Sequence, residues 1–357
     1  MLAISIGGTM PLVMERSQIP TRWAGEADCQ LICCAEEAHR LPNCVNIALV
    51  NNMPDAALED TEAQFLGLLR DSGRGLAVYV KLFSLPNICR GERAQRHLDS
   101  FYSDINSLLL SKFDGMIMTG TEPRQPNLRE EPYWASLAEV LDWAEENTTS
   151  TILSCLAAHA GVLHSDGISR RPVGNKQSGM FEYRHASKHF LTADIDNPVC
   201  FPHSRWNEVP EADLTACGYQ VLTHSSNAGV DLFVKEKKQS MVVHCQGHPE
   251  YGSHTLMKEY RRDVRRYLRK ERETYPTAPH GYFDANSMDL LAGFRELAVN
   301  DRREELMALF PEEEISASLK NTWRKSATSL YANWLQYMAS RKAQRETNRT
   351  FARTAWA

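Results

Sequence analysis

Short apolar segments that alternate with helical stretches constrain the fold of this chain more than any other feature of its sequence. From Val45 onwards, VNIALV (45–50), AVYVKLF (77–83), FDGMIMTG (113–120) and TILS (151–154) are brief runs rich in apolar and β-branched residues. Runs of this length without polar alternation are typical of strands that are buried on both faces. Strands that alternate with helices predict an α/β fold with a mostly parallel central sheet and helices on both faces.

The second half of the chain continues this pattern. Three short strands are predicted close together at 219–223, 231–234 and 241–245, where they extend the sheet in an antiparallel or mixed arrangement. Apolar residues at helical spacings predict the helices, which are 57–69, 98–110, 134–143, 255–272, 290–309 and 323–337.

Both ends of the chain lack this order. The residues before Val45 carry no clear periodicity, and those after Met338 are polar and basic. We therefore predict five parts: an N-terminal extension (1–44), the α/β domain (45–270), a peripheral insertion (271–320), a C-terminal helix that packs on the domain (321–340) and a frayed basic tail (341–357).

Composition excludes several classes of protein. Of the 357 residues 43% are hydrophobic and 24% are charged, which is ordinary globular usage, and a net charge of −5 argues against a nucleic-acid binder. No run of apolar residues is long enough to span a membrane, and the start of the chain lacks the basic leader of a signal peptide. The odd count of nine cysteines favours reduced thiols in a cytoplasmic protein.

Four of these cysteines are clustered near the N-terminus. Cys29, Cys33, Cys34 and Cys44 lie close together with His39 between them, but neither a paired CxxC nor an HxxxH spacing is present. We therefore predict no metal ion, and interpret this segment as a thiol-bearing extension.

Cys155 stands where a predicted strand ends and small residues begin. A sharp turn from a strand into a helix exposes its central side chain, and the helix N-terminus supplies backbone N–H donors that favour a thiolate. The small Ala157 and Ala158 let such a turn pack closely. The alternative is a buried structural cysteine, the usual state of a free thiol. His159, four residues on, is expected to pack rather than to catalyse.

A second polar cluster follows the predicted strand MVVHC. In Gly247-His248-Pro249-Glu250-Tyr251, Glu250 is placed to fix the tautomer and charge of His248. Since the ends of parallel strands meet at one edge of a sheet, His248 can reach Cys155. The two segments together predict a nucleophile, a base and an orienting acid.

At this point the sequence resembles the homoserine O-succinyltransferase family of acyl-CoA-dependent homoserine O-acyltransferases. The matching segments follow one another over most of the chain: NMP (52–54), TEAQ (61–64), FDGMIMTG (113–120), FEYR (181–184), PHSR (202–205), GHPEY (247–251), EYRRDV (259–264) and TWRKSATSLYANWLQYM (322–338). The resemblance implies a flavodoxin-like, class I glutamine amidotransferase-like three-layer sandwich, and it implies a role in methionine biosynthesis.

The family's functional residues carry over by motif. The resemblance makes Cys155 the nucleophile that forms an acyl thioester, His248 the general base and Glu250 its orienting partner. Lys176 and Ser204 match substrate-binding residues. Arg262 matches an arginine that binds the amino-acid carboxylate, although its helical angle, opposite the apolar stripe, predicts a solvated side chain.

The resemblance also implies how the acyl donor is bound. The backbone N–H of Leu156 and one from the Gly120-Thr121 loop are expected to hold the oxyanion. Arg124 occupies the position linked to donor choice, and a guanidinium there is expected to favour succinyl-CoA over acetyl-CoA. The substrates are then acyl-CoA and L-homoserine, with no cofactor or metal, and a homodimer is compatible with the family.

Three other functions remain compatible with the sequence. A glutamine amidotransferase uses the same fold and the same three residue types. Transfer to another hydroxy amino acid, such as serine, keeps the mechanism. A non-catalytic binding protein is the third, and retention of nucleophile, base and acid together argues against it.

Overall fold

The computed structural model of this chain describes residues 12–23 and 29–354, except for the side chains of His39 and of residues 349–354. Within these ranges the strands are β1 (Leu12–Glu15), β2 (Cys29–Ile32), β3 (Cys44–Val50), β4 (Ala77–Phe83), β5 (Gly115–Met118), β6 (Ser150–Ser154), β7 (Arg171–His185), β8 (Val199–Glu208), β9 (Gln220–Val221), β10 (Thr223–Ser225), β11 (Gly229–Val230), β12 (Leu232–Lys237) and β13 (Ser240–Cys245).

Helices connect most of these strands. They are α1 (Ala35–Arg40), α2 (Asp55–Ser72), α3 (Glu92–Phe101), α4 (Ile105–Leu109), α5 (Trp134–Asn147), α6 (Leu156–Asp166), α7 (Glu211–Ala216), α8 (Thr255–Leu268), α9 (Ala285–Asn300), α10 (Glu312–Ser316) and α11 (Arg324–Thr354). Short 3₁₀ helices lie at Arg16–Gln18, Thr21–Trp23, Leu128–Glu130, Phe190–Thr192 and Glu304–Leu309.

The main sheet contains nine strands in the order β2-β1-β4-β3-β5-β6-β13-β12-β9. All neighbours from β2 to β13 are parallel, and β12 and β9 continue the sheet in antiparallel pairs. The predicted α/β fold class with a mostly parallel sheet is therefore confirmed, as is the mixed extension at one edge.

Alternation along the central strands explains the layered architecture. On β3, Val45, Ile47 and Leu49 point into a core shared with α2 and α11, whereas Ala48 and Val50 point into a core shared with α5 and α6. All five are fully buried. Because successive side chains of a strand face opposite sides, a strand with apolar residues in both sets of positions must be covered on both faces.

A second, antiparallel sheet has the strand order β11-β10-β7-β8, and the sequence did not predict it. Strand β7 is rich in polar residues, and its pairing with β8 shifts register between Pro172 and Gln177. A long polar strand has no apolar run by which it can be recognised. The segment 219–223, predicted as one strand, divides between the two sheets.

The N-terminal part of the chain also differs from expectation. Strands β1 and β2 lie within residues 1–44, where no element was predicted, and they pair in parallel beyond β4 at the edge of the main sheet. Their shortness hides any periodicity. The start of the chain, on which the signal-peptide prediction rests, lies outside the described residues, and so does the side chain of His39.

One C-terminal prediction needs correction. Residues within 271–320, where a helix was predicted at 290–309, form α9, α10 and a 3₁₀ helix, and with α8 they enclose an apolar cluster of their own. The tail expected to be frayed after residue 340 instead continues α11 to Thr354, because its Ala, Arg, Lys, Gln and Glu residues are good helix formers.

In the described part of the chain, no helix combines the length and apolarity that crossing a membrane requires. The same residues contain no group of three or more Cys, His, Asp or Glu side chains placed to hold a metal ion.

Trp334 on α11 is the side chain on which the packing of this helix most depends. It is fully buried, and its Nε1–H donates to Ser150 Oγ on β6 at 2.9 Å. Trp334→Ala should lower the free energy of unfolding by about 3–5 kcal/mol, because it leaves a cavity and removes the hydrogen bond that Ser150 Oγ accepts. Urea denaturation measures this. The control Leu110→Ala, at an exposed position, should change it by no more than about 0.5 kcal/mol.

Candidate active site

Cys155 occupies a strained turn between β6 and α6. Its backbone has φ 53° and ψ −113°, a conformation rare for a residue with a Cβ, and it caps the N-terminus of α6. The Cys155 N–H donates to the carbonyl oxygen of Cys245 on β13 at 2.7 Å, which holds the turn against the next strand. The side chain is partly exposed. Strain of this kind persists only where the surroundings enforce it, and it is concentrated at functional sites.

His248 and Glu250 lie beside this turn, as the parallel pairing of β13 with β6 requires. The His248 Nδ1 and Glu250 Oε1 atoms are 2.8 Å apart, and both side chains are buried. Burial alone would lower the pKa of His248, but the negative charges of Cys155 and Glu250 raise it well above its usual value. A protonated imidazole next to Cys155 stabilises a thiolate, so the pair is set up for nucleophilic attack.

A buried polar layer supports the loop that carries His248. The Gly247 N–H donates to Asp231 Oδ1 at 2.7 Å, and a Cβ atom on Gly247 would lie only 2.6 Å from His203 Nε2. Only glycine fits this close approach. Burial raises the pKa of Asp231 to about 6, and it holds His203 neutral by lowering its pKa well below the usual value.

His159 belongs to the same supporting layer. Its Nε2 lies 2.8 Å from Gln246 Oε1, and burial lowers the pKa of His159 to about 3. A neutral, hydrogen-bonded imidazole is suited to holding the side chain of Gln246, two positions before His248, in place. The structure thus gives His159 the packing role expected of it.

The expected oxyanion donors are also adjacent. A Cβ atom on Gly120 would lie 2.6 Å from Leu156 Cβ and 2.9 Å from Leu156 N, so the Gly120-Thr121 loop packs directly against the first turn of α6. The first N–H groups of a helix have no acceptor within it, and they point toward bound anions. Leu156 and Thr121 line the same cleft as Cys155.

A cleft of about 600 Å³ unites almost all residues predicted for the site. Its lining includes Cys155, His248, Glu250, Lys176, Ser204, Arg262, Leu156 and Thr121. Arg262 is half-buried in this cleft, whereas its helical angle predicted solvent. The fold therefore gathers segments that are more than 100 residues apart in the chain.

Arg124 is the exception among the predicted residues. Its side chain is exposed and lines a neighbouring pocket of about 220 Å³ that does not include Cys155. Its backbone N–H donates to Glu131 Oε1 at 2.5 Å. A role for Arg124 in donor choice stays a prediction.

Asp263 is a functional candidate that the sequence analysis missed. This buried carboxylate lies 2.8 Å from Lys176 Nζ, 3.2 Å from Arg262 Nη2 and 3.9 Å from Arg272 Nη1. Burial opposes its charge, but Lys176 and Arg262 together hold the pKa of Asp263 below its usual range. It follows Arg262 directly in EYRRDV, and an acid on the buried side of a basic helix was the available signal.

Together these groups can perform acyl transfer. The cleft offers a cysteine nucleophile, an imidazole with an orienting carboxylate, backbone donors for an oxyanion and a cationic cluster for an anionic substrate. The same set could also hydrolyse an amide, and geometry alone does not choose between these reactions.

Comparison with known proteins shows which of these two reactions is typical of similar proteins. A family model described as homoserine O-succinyltransferase matches residues 29–345. The homoserine O-succinyltransferase of Methylorubrum extorquens is 43% identical over 299 residues, which cover 84% of this chain and 88% of that protein. The one of Methylococcus capsulatus is 37% identical over 329 residues, covering 91% of this chain and 92% of that protein.

Similar solved structures are glutamine amidotransferases. One from Methylobacillus flagellatus has 12% sequence identity and a TM-score of 0.45, covering 83% of this chain and 96% of that one. Another from Thermotoga maritima has 11% identity and a TM-score of 0.44, covering 83% and 98%.

The buried Asp231 predicts a pH dependence of stability. Its pKa of about 6 exceeds the unfolded value near 4, so between these pH values the folded chain retains a proton that the unfolded chain has lost. The stability contributed by Asp231 therefore falls as pH rises from about 4 to 6. Asp231→Asn keeps an acceptor for Gly247 and lacks this titration.

The free energy of unfolding of Asp231→Asn, relative to the parent, should rise by up to about 2–3 kcal/mol from pH 4 to pH 6 and then level off. Urea denaturation at half-unit pH steps measures it. A difference independent of pH would contradict the assignment.

Proposed function

Because this chain belongs to the homoserine O-succinyltransferase family of acyltransferases, we propose that it transfers a succinyl group from succinyl-CoA to the hydroxyl of L-homoserine. The observation that carries this proposal is the placement of Cys155, His248 and Glu250 in one cleft with the Lys176–Asp263–Arg262 cluster. The reaction belongs to methionine biosynthesis in the cytoplasm and requires no cofactor beyond the acyl-CoA substrate.

The first half-reaction loads the enzyme. The Cys155 thiolate attacks the thioester carbonyl carbon, and the oxyanion that forms accepts hydrogen bonds from the N–H groups of Leu156 and Thr121. The bond from carbon to the CoA sulfur then breaks, and the His248 imidazolium donates its proton to the leaving thiolate. The products are CoA and succinyl-Cys155, with His248 neutral.

The second half-reaction transfers the acyl group. Neutral His248 takes the proton of the homoserine hydroxyl as its oxygen attacks the acyl carbon. The bond from carbon to Cys155 sulfur breaks, which regenerates the thiolate and the imidazolium together. Glu250 holds the imidazole in the required tautomer and stabilises its positive charge throughout.

Charged side chains of the cleft bind the acceptor, L-homoserine. A guanidinium binds a carboxylate with two parallel hydrogen bonds, so Arg262 suits the homoserine carboxylate, with Lys176 as a second cation. Asp263 shares its negative charge between them and keeps both directed into the cleft. Ser204 lines the same region and supplies a neutral hydroxyl.

A matrix of donors and acceptors tests this function. CoA release should be fastest with succinyl-CoA and L-homoserine, compared with acetyl-CoA and with L-serine. Without an acceptor, intact-mass spectrometry should detect a succinyl adduct that is absent from Cys155→Ala, since the adduct needs that sulfur. Preference for L-serine would identify another acceptor, and glutaminase activity without acyl transfer would contradict the proposal.

Asp263→Asn tests the acceptor site separately. Loss of the shared carboxylate lets Lys176 and Arg262 move away from their bound positions, so the KM for homoserine should rise about ten- to a hundredfold. The rate of adduct formation on Cys155 should change much less, because that step precedes acceptor binding. Asp289→Asn, on the exposed surface of α9, is the matched control. Equal losses in both half-reactions would mean that Asp263 supports the fold as a whole.

A further inference from the structure

The basic side chains that line the cleft differ in whether they already have an acidic or polar partner within the protein. Four of them have a carboxylate within 4.0 Å: Lys176, Arg262 and Arg272 contact Asp263, and Arg266 contacts Glu122 at 3.1 Å. Arg205 is fully buried, and it donates to backbone carbonyl oxygens and to His203 Nδ1. Each of these five cations therefore already has a polar partner, although Lys176, Arg262 and Arg272 share one carboxylate.

Arg170 is different. Among the residues that the structure describes, no carboxylate lies within ion-pair distance of its guanidinium. Its Nη2 donates to the carbonyl oxygens of Pro126 at 3.3 Å and Gln125 at 3.5 Å, which are long contacts. The side chain is half-buried and lines the cleft together with Cys155.

Partial burial disfavours the charge of this side chain. It lowers the pKa of Arg170, while Tyr133, the Glu131 carboxylate and Cys155 act on it in the opposite sense without forming an ion pair with it. A half-desolvated guanidinium with unused donors gains more from an incoming anion than a solvated one does. The backbone carbonyl groups of residues 125–126 meanwhile hold it at the wall of the cleft that Cys155 also lines.

We infer that Arg170, and not Arg124, recognises the terminal carboxylate of the acyl group carried by Cys155. The ligand class is a dicarboxylic acid esterified at one end as a thioester, whose free carboxylate can form two hydrogen bonds with the guanidinium. An acetyl group leaves Arg170 unpaired. This inference rests on the proposed function, because it identifies how the same site selects its donor.

The position of Arg124 supports this choice. Arg124 is exposed and lines a pocket that does not contain the nucleophile, although both pockets share Thr121, Glu122 and Pro123. The loop that contains Arg124 contacts Arg170 through the backbone carbonyl groups of Gln125 and Pro126. A substitution in this loop can therefore change donor choice by moving Arg170.

The experiment compares kcat/KM for succinyl-CoA and acetyl-CoA in matched variants. In Arg170→Ala the ratio should fall by about tenfold or more, as expected for loss of an ionic hydrogen bond. Arg171→Ala is the control, because it removes the same charge at the next position in the chain. Arg171 is exposed and forms an ion pair with Asp213 at 2.8 Å. It should leave the ratio unchanged.

Arg170→Gln keeps a polar, hydrogen-bonding side chain that is shorter and uncharged, so it tests the role if the alanine variant folds poorly, and its ratio should fall as well. An unchanged ratio in a folded Arg170 variant, or a collapse of the ratio in Arg124→Ala alone, would overturn the inference. Failure of the parent protein to use succinyl-CoA would instead contradict the proposed function. The two failures are thus distinguishable in the same assay.

Discussion

The parallel pairing of β6 with β13 is the interaction on which the rest of the site depends. Five residue pairs hold the strands in register, and the Cys155 N–H continues the ladder by donating to the Cys245 carbonyl oxygen. That bond holds the strained turn at Cys155, and the same register brings His248 to it. A slip of one residue would turn every side chain of the strand to the opposite face and separate Cys155 from His248.

A cluster of charged side chains is the second feature that shapes the cleft. Asp263 is one buried carboxylate among three cations, so the cluster keeps a net positive charge and stays hydrogen-bonded without substrate. An ion pair of this kind contributes little to stability, because desolvation offsets the attraction. Its value lies in holding Lys176 and Arg262 in position. Arg170, which forms no ion pair with any described residue, keeps donors available for an anion.

Different parts of the fold were predictable to different degrees. The strands β3, β4, β5, β6 and β13 are largely buried on both faces and contain short apolar runs, so they can be recognised from their sequences. Strand β7 is polar and half-exposed, and β1 and β2 have four residues each, so neither carries a readable period. The residues of the site divide in the same way: Cys155 and His248 follow buried strands, whereas Asp263 is marked only by its place on the buried side of a basic helix and Arg170 by no local pattern.

The sequence by itself determined the α/β class, the turn at Cys155 and the pairing of His248 with Glu250, because these depend on short-range patterns of apolar, small and polar residues. Which charged side chains contact one another was decided only by the tertiary structure. Lys176 and Asp263 are 87 positions apart, and their contact depends on how β7 crosses toward α8. It likewise placed Arg170 in the cleft with Cys155 and Arg124 outside it, since a side chain's surroundings depend on elements distant in the chain.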